Sequence, residues 1–516
     1  MNFKLFLLIA PFVLFSCKKE VKQPVEQTTT TPNIIYILAD DLGYNQIGAY
    51  GSTKIETPNL DQMAKDGMVF SNHYTSAPVC APDRCMLLTG LNAGKASIRG
   101  NDEWAERGDV WNYEAVEKDI NLEGQRPMPD STFTIAKMLK NINYKTAIFG
   151  KWGLGGPGST STPNKMGFDY FYGYNCQRQA HNYYPLHLFE NEKRVALNND
   201  TIYPHKGWPK GLEPNNIDNY KKYTQKEYAP DLIYNKLESF VEKNQKNPFF
   251  IYWATPIPHT ALQAPKKWLD YYHNKFGDEK PYYGKKYFPQ AYPHAAYAAM
   301  VSYFDENIGK LIDLLKRKGI YDNTLIIFTS DNGPAEAGGT DTEFFNDTKP
   351  FPNAEGKGKG SLHEGGIRTP MIATWKNKIK PGSSSDHISV QYDVMATLGQ
   401  LVDYKDKIYT DGISFLPTLL SKGKQDTHEF IYWEFPGKGG QVALRMGAWK
   451  FIIADILSEK PLVYQLYNLD NDPSETKNVA SQHPEIVDKA IQIIKQEHKK
   501  PANEKFELPI INKLQS

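Results

Sequence analysis

The sequence has few cysteines, four in 516 residues. A fold stapled by disulfides is excluded, and each thiol present speaks more for chemistry than for cross-linking. Charge of one sign is also lacking: Lys and Arg total 60 against 59 Asp and Glu, a net charge of +1. Such a balance produces no broad field to gather nucleic acid or acidic lipid. There is no internal repeat. The apolar run Leu5 to Phe15 is much shorter than the roughly 20 residues that span a bilayer.

What is present is enough apolar material for a sizeable core, 40% of the chain. The length accommodates one large domain and a smaller one. Tyr 32, Phe 25 and Trp 9 make the chain aromatic-rich, which suits sugar platforms as well as cores. The N-terminus reads as a secretory signal at 1–16, with Lys4 ahead of the apolar run. Leu14-Phe15-Ser16-Cys17 looks like a bacterial lipobox, which implies cleavage before Cys17 and a lipid anchor on it. Residues 17–32 are rich in Thr, Pro and Gln and read as a flexible tether. The expected location is an exported, membrane-anchored lipoprotein in the periplasm or at the outer-membrane or cell surface.

Beyond the tether, apolar strands repeatedly end in polar residues. Asn33 to Leu38 is a near-continuous apolar run, as in a strand buried on both faces, and it ends in Asp40-Asp41. Leu325 to Thr329 ends in Asp331-Asn332. Two adjacent carboxylates repel unless a cation lies between them. Hard oxygen donors from two strand ends, with no His or Cys close by in sequence, suit Ca2+ or Mg2+ and not zinc. Thr146 to Phe149 leads to Lys151, Phe249 to Ala254 leads to His259, and a Gly/Lys-rich segment carrying Lys359 precedes the strand Met371 to Thr374. A helix from about Tyr297 to Lys318 presents Val301, Phe304, Ile308, Leu311 and Leu315 on one face. Strands alternating with helices predict an α/β domain, a mostly parallel or mixed sheet covered on both faces, with ligands beyond the carboxyl ends of its strands.

One stretch organises these residues: Val79-Cys80-Ala81-Pro82-Asp83-Arg84, running on to Thr89-Gly90. Pro82 suits the first turn of a helix and Gly90 its exit. Cys80 then lies at a helix N-terminus, where open amides favour an anion, with Arg84 one turn along the same face. The longer string resembles type I sulfatases, in which Cys-x-Pro-Ser-Arg-x-x-x-x-Thr-Gly marks a cysteine oxidised to formylglycine (3-oxoalanine). Asp83 stands here where the family usually has serine.

The resemblance runs from Asn33 to about Pro370, and more weakly to Asn478. It implies an alkaline-phosphatase-like mixed central sheet, helices on both faces, and a small C-terminal antiparallel sheet with a packed helix. The catalytic domain is then 33–405 and the C-terminal α+β subdomain 406–516. It further implies one Ca2+ held by Asp40, Asp41, Asp331, Asn332 and the modified Cys80, a formylglycine-generating maturation enzyme as partner, and sulfate contacts from Lys151, His259 and Lys359. In that chemistry one hydroxyl of hydrated formylglycine attacks sulfur, and loss of a proton from the second expels sulfate. Lys151, Lys359 and Arg84 offset the shifting charge, and a histidine protonates the leaving alcohol.

Many members read Gly-Lys-Trp-His-Leu-Gly, and here Gly153 replaces that histidine. His181, in the string Cys176 to Tyr184, is the proposed substitute, and His259 the other candidate acid. Nothing in the spacing of Cys85 and Cys176 supports a disulfide. Lys438, Gln441 and Arg445 read individually as solvated. The expected substrate is a sulfated polysaccharide or its oligosaccharides, such as ulvan, a sulfated galactan or a glycosaminoglycan, with no nucleic acid involved. The competing readings are a phosphonate or phosphate ester hydrolase on the same fold, and a non-catalytic surface glycan-binding lipoprotein.

Overall fold

The strand Asn33–Ala39 (β1) lies at the centre of the computed structural model, with every residue buried. The model describes residues 31–204, 206–284, 286–346, 349–351 and 356–514. The expected signal peptide at 1–16 and the expected tether up to residue 30, Cys17 included, lie outside the described residues. Pro32–Ser516 forms one compact unit. No helix among the described residues is long and apolar enough to cross a membrane.

The remaining strands, in chain order, are β2 (Met68–Phe70), β3 (His73–Tyr74), β4 (Lys145–Lys151), β5 (Tyr170–Tyr174), β6 (His187–Glu190), β7 (Lys193–Ala196), β8 (Phe249–Ala254), β9 (Thr324–Ser330), β10 (Met371–Thr374), β11 (Ser383–Ser385), β12 (Ser389–Val390), β13 (Ile431–Phe435), β14 (Gln441–Met446), β15 (Trp449–Ile453) and β16 (Tyr464–Asn468). Ten of them form the main sheet, in the order β11-β2-β10-β9-β1-β8-β4-β5-β6-β7. Its centre, β9-β1-β8-β4-β5, is parallel. Antiparallel pairs flank that centre on both sides, β10 with β9 and β6 with β5. The mixed α/β architecture expected from the sequence is present.

The run Ile34 to Leu38 looks continuous because both faces of the sheet are covered. Ile34, Tyr36 and Leu38 enter one core, with Cys85, Met86 and Leu88 of the helix Cys80–Thr89. Ile35 and Ile37 enter the other, with Val301, Phe304, Ile308 and Leu311 of the helix Pro293–Arg317. Alternate residues of a strand point to opposite faces, so a strand buried twice is apolar at every position. Gly90 ends the Cys80 helix at φ +70° with its amide on Met86 O, the left-handed exit that glycine adopts cheaply.

Strands β13-β14-β15-β16 form the antiparallel C-terminal sheet. Its Val442, Leu444, Phe451 and Leu466 pack with Val487, Ala490 and Ile494 of the helix Pro484–Glu497. Trp433 on β13 donates through Nε1 to Thr75 O at 2.8 Å, which ties this sheet to the segment leading into Cys80.

At the other edge, buried His187 on β6 bridges Glu117 at 3.1 Å and Glu123 at 2.9 Å. Burial alone lowers its pKa, but the two carboxylates outweigh that and hold it at about 9. A histidine pKa raised on folding contributes stability below its unfolded value and loses it as pH climbs through the folded one. Denaturant unfolding should therefore show roughly 3 kcal/mol of stability lost between pH 6.5 and 10. His187→Gln should flatten that slope; an unchanged slope would remove the bridge as its cause.

Candidate active site

The carboxyl ends of β1, β9, β4 and β8 open on one side of the sheet, and the chemistry-bearing residues collect there. Parallel pairing sets this position: Ala39 on β1 stands opposite Ser330 on β9. Asp40 and Asp41 therefore emerge beside Asp331 and Asn332. Backbone bonds close the corner, Asp331 N–H to Ala39 O at 3.1 Å and Asp40 N–H to Ile257 O at 3.0 Å. Leu42 N–H donates to Ser330 Oγ at 2.9 Å. Asp41 is held at φ +67°, a left-handed conformation costly for a non-glycine residue and tolerated where the surroundings over-determine it.

The helix Cys80–Thr89 delivers Cys80 to this corner. Its thiol donates to Asp40 Oδ1 at 3.2 Å, and Lys359 Nζ donates to Sγ at 3.4 Å. One donor atom each from Asp40, Asp41, Cys80 and Asp331 fall within 4.8 Å of one another. Asn332 Nδ2 donates to Asp41 Oδ1 at 2.8 Å. The buried atoms Asp41 Oδ2 and Asn332 Oδ1 have no hydrogen-bond partner. Buried oxygens left unpaired are costly, and two of them beside three carboxylates fit a hard cation.

Three cations surround the acids. Lys151 Nζ reaches Asp40 Oδ2 at 2.5 Å, and Lys359 Nζ reaches Asp41 Oδ1 at 2.6 Å. Arg84, fully buried, donates to Asp331 Oδ2 through Nε at 3.1 Å and Nη2 at 2.8 Å, and to Lys151 O through Nη1 at 2.9 Å. Burial pushes Asp40 up, but Lys151, then His259, Arg84 and Lys359, hold it well below the usual carboxylate range. Burial and the neighbouring Asp40 push Asp331 up to about 6. Burial raises the Cys80 thiol strongly, so the unmodified residue is a neutral thiol and a poor nucleophile.

His259 lies with Nε2 3.6 Å from Asp41 Oδ2. Burial lowers its pKa to about 4. The rings of His181 and His259 stack at 4.9 Å and 3°. All the residues expected from the sequence thus meet here, His181 through His259. Gly153 has φ +75°, and a Cβ there would meet Gln177 Nε2 at 2.6 Å. The space of a side chain at 153 is filled by Gln177, whose Nε2 is buried without a partner.

Three expectations change. The helix N-terminus is less open than the sequence suggests, because Ala81 N–H already donates to Asn101 Oδ1 at 3.1 Å. Arg84 faces inward as a strut for Asp331 and the Lys151 strand end. Gln441 and Arg445 are buried rather than solvated, while Lys438 is exposed as expected. Lys438 Nζ donates to Lys359 O at 2.6 Å, Gln441 Nε2 to Gly360 O at 2.8 Å, and buried Arg445 to Tyr74 Oη at 2.9 Å. The first two hold the segment that carries Lys359. Asp83 is fully buried, with Ser76 N–H on Oδ1 at 2.7 Å. Burial, then Asp331, raises its pKa well above the ordinary value. Cys85 and Cys176 are separate thiols. Sequence reading missed Tyr287, whose ring centroid lies 5.2 Å from that of His181 and 6.0 Å from that of His259. No motif marks it; only folding brings it there.

A mixed α/β sheet with a cysteine, three carboxylates, an amide and three cations at its carboxyl edge defines a hydrolase of oxyanion esters. The comparisons narrow the class. The sulfatase family model matches residues 32–404, and a model described as N-sulphoglucosamine sulphohydrolase, C-terminal, matches 358–501. An N-acetylgalactosamine-6-O-sulfatase of Bacteroides thetaiotaomicron is 31% identical over 92% of this chain and 94% of its own. The crystal structure of Ps i-CgsB is 29% identical with a TM-score of 0.72, over 92% of this chain and 94% of that one. The same protein in complex with k-i-k-neocarrahexaose is 28% identical with a TM-score of 0.70, over the same shares. The chain belongs to the sulfatase family. It is a sulfuric ester hydrolase.

Proposed function

We propose that this sulfatase removes sulfate from a sulfated polysaccharide or its oligosaccharides, using formylglycine formed from Cys80 and one Ca2+. The observation that carries the reading is the cluster of Asp40, Asp41, Asp331 and Cys80 donor atoms within 4.8 Å, framed by Lys151, Lys359 and Arg84. Its extension to polysaccharides is supported by the relative named for N-acetylgalactosamine 6-O-sulfate and by the relative solved with k-i-k-neocarrahexaose.

Asp40, Asp41, Asp331 and Asn332 would hold the ion, with residue 80 beside it. Bound Ca2+ would supply positive charge to polarise an ester oxygen, and formylglycine would supply a nucleophilic hydroxyl with an elimination route for sulfate. The protein's own part follows from the geometry. Lys359, within hydrogen-bond reach of both Sγ and Asp41, orients residue 80 and offers its charge to the sulfate oxygens. Lys151, set against Asp40, does the same from the β4 side. Arg84 fixes Asp331 and the Lys151 carbonyl, which keeps the floor in register. His259 donates Nδ1–H to Thr260 O and directs Nε2 toward the Asp41 corner. Its low pKa leaves Nε2 bare before substrate binds, and the negative charge of a bound sulfate ester would raise that pKa so that Nε2 carries the proton for the departing alcohol. His181, stacked on the His259 ring, would serve as acid or as substrate contact.

The maturation enzyme would act on the Cys80 segment, and Cys17 would carry the lipid that anchors the exported protein. Sulfate release from chondroitin 6-sulfate and carrageenan oligosaccharides, read by ion chromatography, tests the reading. Release from at least one, lost with a chelator and restored by Ca2+, is expected. No sulfate from any glycan, with phosphate or phosphonate esters cleaved instead, would replace this reading with the related hydrolase.

A further inference from the structure

A second cleft begins where the reaction site ends. Tyr287 packs its ring against His181 and His259 at 5.2 and 6.0 Å between centroids. The same Tyr287 lines a cavity of about 260 Å³, together with Tyr203, Lys206, Lys222, Tyr223 and Phe288. Sites for drug-sized ligands run from about 300 Å³ upward, so this one suits a single ring.

Its composition is unlike the rest of the surface. Tyr223 and Phe288 are buried, with ring centroids 5.4 Å apart, and Ala261, two residues from His259, belongs to the same small core. The aromatic floor is therefore continuous with the segment that carries His259. Lys206 and Lys222 are exposed. Among the described residues no carboxylate lines the cavity, and neither lysine is in an ion pair. Lys222 Nζ lies 5.1 Å over the Tyr223 ring. In a chain with nearly equal numbers of acids and bases, two exposed lysines outside any ion pair on one aromatic-lined cleft form a local positive patch.

We propose that this cleft is a subsite for the sugar neighbouring the one that carries the scissile sulfate, and that it selects a neighbour bearing an acidic group, a carboxylate or a second sulfate. Aromatic faces take the C–H face of a pyranose ring, while the lysines meet its anionic substituent. Sharing Tyr287 with His181 and His259 places the two sugars side by side in one chain. The enzyme then favours oligosaccharides over single sulfated sugars. The inference rests on the glycan sulfatase reading and deepens it.

Binding without turnover separates the two. The full chain carrying Cys80→Ala is titrated by calorimetry with the single sulfated sugar and the disaccharide of chondroitin 6-sulfate, whose neighbour carries a carboxylate, and of a doubly sulfated carrageenan, whose neighbour carries sulfate. The disaccharide of at least one series should bind about tenfold more tightly than its single sulfated sugar, the worth of two exposed ion pairs. Which series gains identifies the acid recognised. Adding Lys206→Ala and Lys222→Ala should remove that gain and leave the affinity for the single sulfated sugar and the melting temperature unchanged. No gain with length in either series, or a gain that survives both substitutions, overturns the subsite. Sulfate release by the unsubstituted enzyme is read separately; its failure would strike the catalytic reading and leave the binding result standing.

Discussion

Cys80→Ala is expected to lower sulfate release on the order of 10⁴-fold or more while the protein stays folded. Removing a covalent nucleophile from a preorganised site costs this much, because the remaining charges bind substrate without opening the second half of the reaction. The structural loss is small: Cys80 is buried beneath Lys359 and contributes one thiol bond to Asp40 and one contact to that lysine. The melting temperature should therefore move little. In wild-type protein from its own host, residue 80 should resist alkylation and react with a hydrazine probe. A wild-type Cys80 that is fully alkylated, or an alanine variant that keeps turnover, would end the formylglycine reading.

Arg84→Met is expected to cost about 3–5 kcal/mol of folding stability, the largest loss of any single substitution at this site. The side chain is fully buried and donates twice to Asp331, once to the Lys151 carbonyl, and lies 3.5 Å from Asp40. Its removal leaves two carboxylates facing one another in a low-dielectric corner, and one carbonyl loses its donor. Methionine keeps much of the stem's volume, so the measured loss reports charge rather than a cavity. Denaturant unfolding with an unchanged m-value would give the number. A change below about 1 kcal/mol would mean that Asp331 does not depend on the guanidinium.

The sequence by itself determined the strands and the chemistry at their ends. A run such as Ile34 to Leu38, apolar at every position, has one comfortable place, the middle of a covered sheet, and the acids that follow it must then sit at the carboxyl edge. The Cys80 helix was legible for a similar reason: proline near its start, glycine at its exit, and an apolar body between are local signals. The small C-terminal antiparallel sheet with its packed helix, implied by the family resemblance, is present as β13 to β16 and the helix Pro484–Glu497.

What tertiary structure decided was direction and partnership. Arg84 reads from sequence as an anion-binding side chain, yet two acceptor atoms, Asp331 Oδ2 just past β9 and Lys151 O at the end of β4, draw it inward. Gln441 looks solvated and exposed Lys438 looks unengaged because nothing near them in sequence needs a donor; the carbonyls they satisfy, Gly360 and Lys359, arrive from some 80 residues away. Gly153 looks like a missing catalytic residue, and only packing shows Gln177 in the vacated space. Tyr287 carries no motif at all and is placed beside His181 by contacts more than a hundred residues apart. Local propensity and periodicity act over a few residues and are written in the chain. Hydrogen-bond satisfaction and burial act across it, and those forces settle which side chain faces the substrate and which supports it.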